Sequence, residues 1–311
     1  MDRPDGHPAA RRRVSTGASA TAGAKLHELA SRCTFPPRGT PIACAVSGGA
    51  DSLALLVLAV VAGCEVTALH VDHGLRAGSD REAQLVETAA AKLGASFVSL
   101  RVDVGAGPNL EARARQARKA ALPVGASTGH TMDDQAETVL IRLLRGTGPA
   151  GLAAMRTGYE HPLLDLRRSE TCEITAAAGL TCFEDPSNHD PSILRNRVRH
   201  ELLPLCSEMA GRDLVPLLAR LAQLAAEDAE LLDAQAECLD PTDARALTEA
   251  PVVVARRAVR NWLRGDGPYP PDLAAVERVL AVARGDFPGT EFAPGTRVRR
   301  TAGRLRKEPL E

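Results

Sequence analysis

The stretch that most constrains the fold is residues 41–58, Pro-Ile-Ala-Cys-Ala-Val-Ser-Gly-Gly-Ala-Asp-Ser-Leu-Ala-Leu-Leu-Val-Leu. Its apolar run Ile42–Val46 reads as a buried strand, which stops at Ser47-Gly48-Gly49. Leu53, Leu55, Leu56 and Leu58 then open a helix. Strand, Gly-rich turn and helix together suit an anion: glycines let the backbone approach closely, and helix N–H groups point at the ligand. No Gly-Lys-Ser/Thr follows at Walker A spacing. On Gly-Gly alone, a plain strand-to-helix turn with Asp51 in the first helical turn reads equally well.

The flanking serines and Asp51-Ser52 make Ser-Gly-Gly-x-Asp-Ser more specific. An acid beside bound phosphate repels it unless a cation lies between, so the motif implies Mg²⁺ together with a nucleotide. It resembles the loop of the ATP pyrophosphatases, which cleave ATP between its α- and β-phosphates. The expected ligands are therefore ATP and Mg²⁺, the latter at Asp51.

After the loop, strands alternate with helices. Glu65–Val71 reads as a second strand and leads into His70-Val71-Asp72-His73-Gly74-Leu75-Arg76. Ser96–Val102 reads as a third strand, followed by helix Leu110–Leu122. Val124–Gly129 is expected as a fourth, with helix Met132–Arg145 behind it and His161–Leu164 as a possible fifth. Repeated βα units of this length imply a parallel sheet with ligands at the carboxyl ends of its strands. Helices are then expected at Arg168–Ala178, from about Ser192, at Leu214–Cys238, Ala244–Arg264 and Asp272–Arg284, with a small hairpin in Glu291–Arg306. The fold class is α/β, a Rossmann-like parallel-sheet N-terminal domain with a smaller, mainly helical C-terminal domain. The divisions are a mobile arm at 1–24, a catalytic domain at 25–206 and a mainly helical tRNA-binding domain at 207–311.

Composition narrows the setting. With 311 residues, a net charge of −1 and 25% charged residues, the chain reads as an ordinary soluble protein with no overall pull on nucleic acid. Seven cysteines without a Cys-x-x-Cys pair argue for reduced thiols and the cytoplasm. No apolar run is long enough to span a membrane, and Met1–Ala10 lacks a signal-peptide core.

A second chemical stretch is His130-Thr131-Met132-Asp133-Asp134-Gln135-Ala136-Glu137-Thr138. Asp133, Asp134 and Glu137 share one helical face at spacings where like charges repel unless a cation separates them. Thr131-x-x-Asp134 also fits a capping signature. Because the helix follows an expected strand, its acidic start falls at the same sheet edge as the phosphate loop. There it could hold Mg²⁺ or receive an ammonium group.

Five segments, in this order, resemble the tRNA(Ile)-lysidine synthetases: Ser47–Ser52, His70–Arg76, Asn109–Arg115, His130–Thr138 and Arg145–Leu152. So does Asp185-Pro186-Ser187-Asn188 leading into Arg195-Asn196-Arg197-Val198-Arg199-His200-Glu201-Leu202-Leu203-Pro204. The resemblance spans about residues 40–205 and is looser beyond. The further C-terminal domain of longer members is expected to be missing. It implies a ligase that adenylates the wobble cytidine of a CAU-anticodon isoleucine tRNA with ATP, then lets the ε-amine of L-lysine displace AMP. By the same resemblance Ser47, Gly48, Gly49, Ala50 and Ser52 cradle phosphate, Asp51 acts through Mg²⁺, and His70 and Asp72 line the nucleotide site. Asp134 and Glu137 orient or deprotonate the amine, and Arg118 stabilises charge during adenyl transfer. Arg145, Arg195, Arg197 and Arg199 meet tRNA phosphates. The resemblance also allows a homodimer.

Lys119 stands where the family usually has tyrosine, and His161 where it has arginine. Only eleven residues, Lys119–Gly129, separate Arg118 from His130. Two other readings stay open: a related enzyme that thiolates cytidine, and a non-catalytic nucleotide- or tRNA-binding relative.

Overall fold

The computed structural model describes residues 16–72, 79–103, 105, 110–264 and 271–310. His73–Arg76, Asn109 and the part of the expected arm up to residue 15 lie outside them. The chain forms two compact units, one of Met1–Thr147 with Ala154–Ala222 and one of Gly148–Ala153 with Gln223–Glu311. Among the described residues no helix is long and apolar enough to cross a membrane.

The first unit runs α1 (Thr16–Ser31), β1 (Pro41–Ala45), α2 (Ala50–Val61), β2 (Glu65–Asp72), α3 (Ser79–Leu93), β3 (Ser96–Arg101), α4 (Leu110–Ala121), β4 (Ser127–Thr128) and α5 (Met132–Leu144). The single turn α6 (Pro149–Leu152) falls in the other unit. Next come α7 (Arg168–Ala177), a 3₁₀ turn at Pro186–His189 and α8 (Leu194–Arg197). A π-helical turn at Val198–Leu202 joins α8 to α9 (Leu203–Ala210).

The sheet is fully parallel, in the order β3-β2-β1-β4. Chain order thus reverses direction at β1, and the crevice between the carboxyl ends of β1 and β4 is the switch point where such sheets bind ligands. Helix α2 is apolar on all sides, with Leu53, Leu55, Leu56 and Leu58 fully buried, so it sits inside the core rather than against it. That burial fixes where the turn before it can lie.

The structure differs from several of these sequence readings. The strand at Val124–Gly129 shrinks to Ser127–Thr128, because the preceding residues, with Gly125 at φ +83°, form a turn. His161–Leu164 is a turn whose Leu163 and Leu164 plug the core, with His161 in an isolated bridge to Gly158. Helix α1 begins at Thr16, inside the stretch expected to be an arm. The first compact unit runs on to Ala222, inside α10 (Val215–Glu237), whose first turn packs Val215 with Ala136 and Leu203.

In the second unit Ala250-Pro251 splits the expected Ala244–Arg264 helix into α11 (Ala244–Glu249) and α12 (Val252–Arg264). Helix α13 (Leu273–Arg284) follows, capped by the Asp272 carboxylate. The expected hairpin is a three-stranded antiparallel sheet of β5 (Gly289–Ala293), β6 (Thr296–Thr301) and β7 (Arg304–Pro309).

Candidate active site

The turn between β1 and α2 is built by its own serines. The Ser47 N–H donates to Ser52 Oγ over 3.1 Å, and Ser52 Oγ donates to the Gly49 carbonyl over 2.9 Å. Gly48 needs its missing side chain, since φ is +83°, and its carbonyl accepts the Phe183 N–H at 2.8 Å. Gly49 starts α2 with no side chain capping it. His70 is buried with Nδ1 3.0 Å from the Val46 carbonyl, an acceptor, so the ring donates there and braces the residue before Ser47. Asp72 ends β2, half-buried.

Gly129 brings the second stretch to this turn. A Cβ there would stand 2.5 Å from the Asp51 carbonyl oxygen and 2.9 Å from the Ser52 nitrogen. Only a bare glycine backbone lets the end of β4 press against the start of α2. The acidic start of α5 consequently meets Asp51.

Thr131 caps α5 reciprocally with Asp134: the Thr131 N–H and hydroxyl each donate to Asp134 Oδ2 at 2.9 Å. The expected capping and the expected site are therefore one arrangement. Glu137, one turn on, is fully buried. A buried carboxylate requires partners, and three arginines supply them. Arg168 reaches Glu137 at 3.2 Å, Asp134 at 2.9 Å and Asp51 at 3.3 Å. Arg195 donates to Glu137 at 2.8 Å and Asp134 at 3.0 Å. Arg199 donates to Glu137 at 2.7 and 3.1 Å and lies 3.4 Å from Asp134. Asp51 also accepts from the Thr171 hydroxyl. Three carboxylates and three guanidiniums form one charge-balanced cluster.

Electrostatics follow from this packing. Burial works against ionised Asp134, but the Arg168 and Arg195 guanidiniums and the Thr131 N–H outweigh it, holding the carboxyl at about 2. Burial raises Asp51 despite Arg168 and Thr171, with Asp134 adding to the rise. Burial above all drives His130 down to about 4, with Asp134 opposing and His161, Arg195 and Arg118 contributing. Arg118, half-buried in the last turn of α4, is thus close enough for its charge to be felt at His130.

A small polar group sits beside the acids. The Thr128 hydroxyl lies 2.7 Å from His130 Nδ1, 2.8 Å from His161 Nδ1 and 3.0 Å from the Glu160 carbonyl. A hydroxyl has one proton, and the carbonyl can only accept, so the proton goes there and both imidazoles donate from Nδ1. Burial also lowers His161, which keeps the pair neutral near pH 7.

The sequence-derived residues divide on the structure. Ser47–Ser52, Asp51, Asp134 and Glu137 converge, with Arg118 nearby. Arg195 and Arg199 turn inward onto the acids, while Arg197 is exposed and pairs with Glu201 at 3.1 Å. Arg145 is exposed at the end of α5. Sequence reasoning missed Arg167 and Arg168. Arg167 caps α7 and holds Asp133 through two contacts of 3.1 Å, and Asp213 through a third. Two arginines at a helix start oppose the helix dipole, a signal that carboxylates lie near. Among the described residues no group of three or more His, Cys, Asp or Glu side chains is arranged to hold a metal.

Comparison with known proteins places the chain among families of known type. Residues 21–206 match the PP-loop domain family, and residues 243–306 match a TilS substrate binding domain. The chain is 43% identical to a tRNA(Ile)-lysidine synthase of Nocardia farcinica over 270 residues, 81% of this chain and 85% of that protein. It is 43% identical to the Rhodococcus erythropolis tRNA(Ile)-lysidine synthase over 75% of this chain and 76% of that one. The Thermobifida fusca tRNA(Ile)-lysidine synthase is 40% identical over 80% of this chain and 84% of its own. Among solved structures, the U34-tRNA thiolase NcsA of Methanococcus maripaludis superposes with a TM-score of 0.52 at 15% identity, over 68% of this chain and 79% of that one. That likeness concerns the fold alone.

Proposed function

The chain belongs to the tRNA(Ile)-lysidine synthase family, and from that premise we propose that it makes lysidine on a CAU-anticodon tRNA(Ile). ATP adenylates the C2 oxygen of the wobble cytidine and releases pyrophosphate. The ε-amine of L-lysine then attacks C2, and AMP leaves. The observation that carries the reading is the meeting of Asp51, Asp134 and Glu137 beside the Ser47–Ser52 turn, at the switch point of the sheet.

Each side chain has a chemical task in this reading. Ser47, Gly48, Gly49, Ala50 and Ser52 hold phosphate, with His70 bracing the turn and Asp72 at the strand end beside the nucleoside. Asp51 offers a single hard oxygen donor, which suits Mg²⁺ shared with a triphosphate rather than held by protein alone. Bound there, the ion would neutralise phosphate charge. Arg118 faces the charge that develops at phosphorus. Asp134 and Glu137 receive the lysine amine and orient it or accept its proton.

Both acids are paired with guanidiniums. Arginine forks match phosphate as well as they match carboxylate. An entering triphosphate therefore competes for Arg168, Arg195 and Arg199, and each one it draws away leaves an acid open to an ammonium. The exposed Arg145 and Arg197 remain for tRNA phosphates. The thiolation alternative lacks support: near the site Cys172 is pushed up by burial, with Asp51 and Cys182 adding to it, the opposite of a reactive thiolate.

The test is transfer of labelled lysine into CAU-anticodon tRNA(Ile), with pyrophosphate release dependent on lysine and tRNA. Asp51→Ala and Glu137→Ala should each abolish it. Folded protein that never incorporates lysine refutes the assignment, and full activity in either variant refutes that residue's role.

A further inference from the structure

The small sheet of the second unit engages the basic residues of its inner face and leaves two arginines of its outer face without an acid. On the inner face Val298 and Leu305 are buried, Arg300 donates to the Ala283 carbonyl at 2.9 Å, and Lys307 lies 5.0 Å from the centroid of the Trp262 ring and donates to the Trp262 carbonyl. Residues directly opposite share a face, so the register Arg297↔Glu308, Arg299↔Arg306 and Thr301↔Arg304 defines the outer face. Arg297 is matched by Glu308 at 3.4 Å, and Arg304 by Asp240 at 2.5 Å and Asp243 at 3.9 Å. Between them Arg299 and Arg306 stand side by side, both exposed, and among the described residues neither has an acidic partner. On β5 the residue opposite Arg299 is Gly289, which contributes no side chain.

Like charges directly across two strands weaken a sheet, so this pair works against the fold that carries it. A bound anion reverses the sign. Two planar forks with Cβ atoms about 5 Å apart can grip one phosphodiester or two successive ones. We propose that the outer face of β6 and β7 is an RNA-backbone contact surface centred on Arg299 and Arg306. This rests on the tRNA reading above and deepens it, by naming where the second unit meets the substrate's phosphates.

The experiment measures tRNA binding by the full chain across a salt series, alongside thermal melting. Arg306→Glu places an acid opposite Arg299. The expected result is a melting temperature equal to or above wild type, with tRNA affinity down roughly tenfold or more near 0.1 M salt. The slope of log affinity against log salt should fall by about two. The Arg299→Gln/Arg306→Gln double variant should show the same loss, and Arg306→Lys should keep most of the slope. Wild-type chain that binds tRNA, with a double variant of unchanged slope, overturns the surface and leaves the enzyme reading standing. Wild-type chain with no affinity for tRNA overturns both.

Discussion

Gly129 offers a direct test of how the site is assembled. Its substitution by alanine places a Cβ 2.5 Å from the Asp51 carbonyl oxygen, 2.7 Å from the Asp51 carbonyl carbon and 2.9 Å from the Ser52 nitrogen. All three are backbone atoms, and α2 is wedged in the core through four fully buried leucines, so no side chain can swing aside. Restoring ordinary van der Waals distance requires the β4 end and the α2 start to part by about 1 Å. Overpacking of this kind costs about 1–3 kcal/mol. Separating Asp51 from Asp134 and Glu137 by that distance should matter more, since a misplacement of about 1 Å can lower turnover by about 100-fold. The expected phenotype of Gly129→Ala is a protein that folds, melts a few degrees lower and incorporates lysine at about one hundredth of the wild-type rate. Steady-state lysine incorporation and calorimetry check it. Wild-type rate and wild-type melting together would refute the close approach.

Three further outcomes follow from the ion cluster and its surroundings. Arg168→Met leaves Glu137 and Asp134 short of one charge partner, and should destabilise the fold by about 3 kcal/mol in chemical denaturation; a loss under about 1 kcal/mol would count against a shared cluster. Because Asp134 titrates at about 2, below its unfolded range, its contribution of about 2 kcal/mol is present above pH 4 and lost as pH falls toward 2. Wild type should therefore lose its stability advantage over Asp134→Asn across that window, and a constant difference down to pH 2 would contradict it. Neutralising Arg197 should lower the salt slope of tRNA binding by about one and leave lysine-independent ATP binding unchanged, as filter binding would show.

The parallel sheet was legible because its first three strands carry β-branched and apolar residues, Ile42–Val46 most densely, and each is separated from the next by a segment of helical spacing. The fourth was legible only as a necessity. Pro123, Gly125 and Gly129 deny it length, and two residues suffice because Thr128 also bonds to the Glu160 carbonyl through its N–H and its hydroxyl. The acidic stretch at Asp133–Glu137 was readable from spacing. Its arginine partners were not, since Arg168 contacts Glu137 and Asp134 across more than thirty residues of chain. Nor does local pattern show that Arg195 and Arg199 reach the acids. Basic residues on a helix read as a solvated face, yet a fully buried Glu137 behind them turned two of the three inward. Ala250-Pro251 carried its message openly: a proline there ends one helix and starts the next.

The bridge that Arg168 makes between Asp51, at the Ser47–Ser52 turn, and the acids of α5 has a thermodynamic corollary. If an anion at the turn draws an arginine off the acids and so opens them to an amine, the two affinities are linked, and the linkage is symmetric. Whatever factor bound triphosphate contributes to lysine affinity, bound lysine must return to triphosphate affinity. A dissociation constant measured for either ligand alone then differs by that factor from the one measured with the other bound. Only the full square of singly and doubly liganded states would describe how this cluster binds.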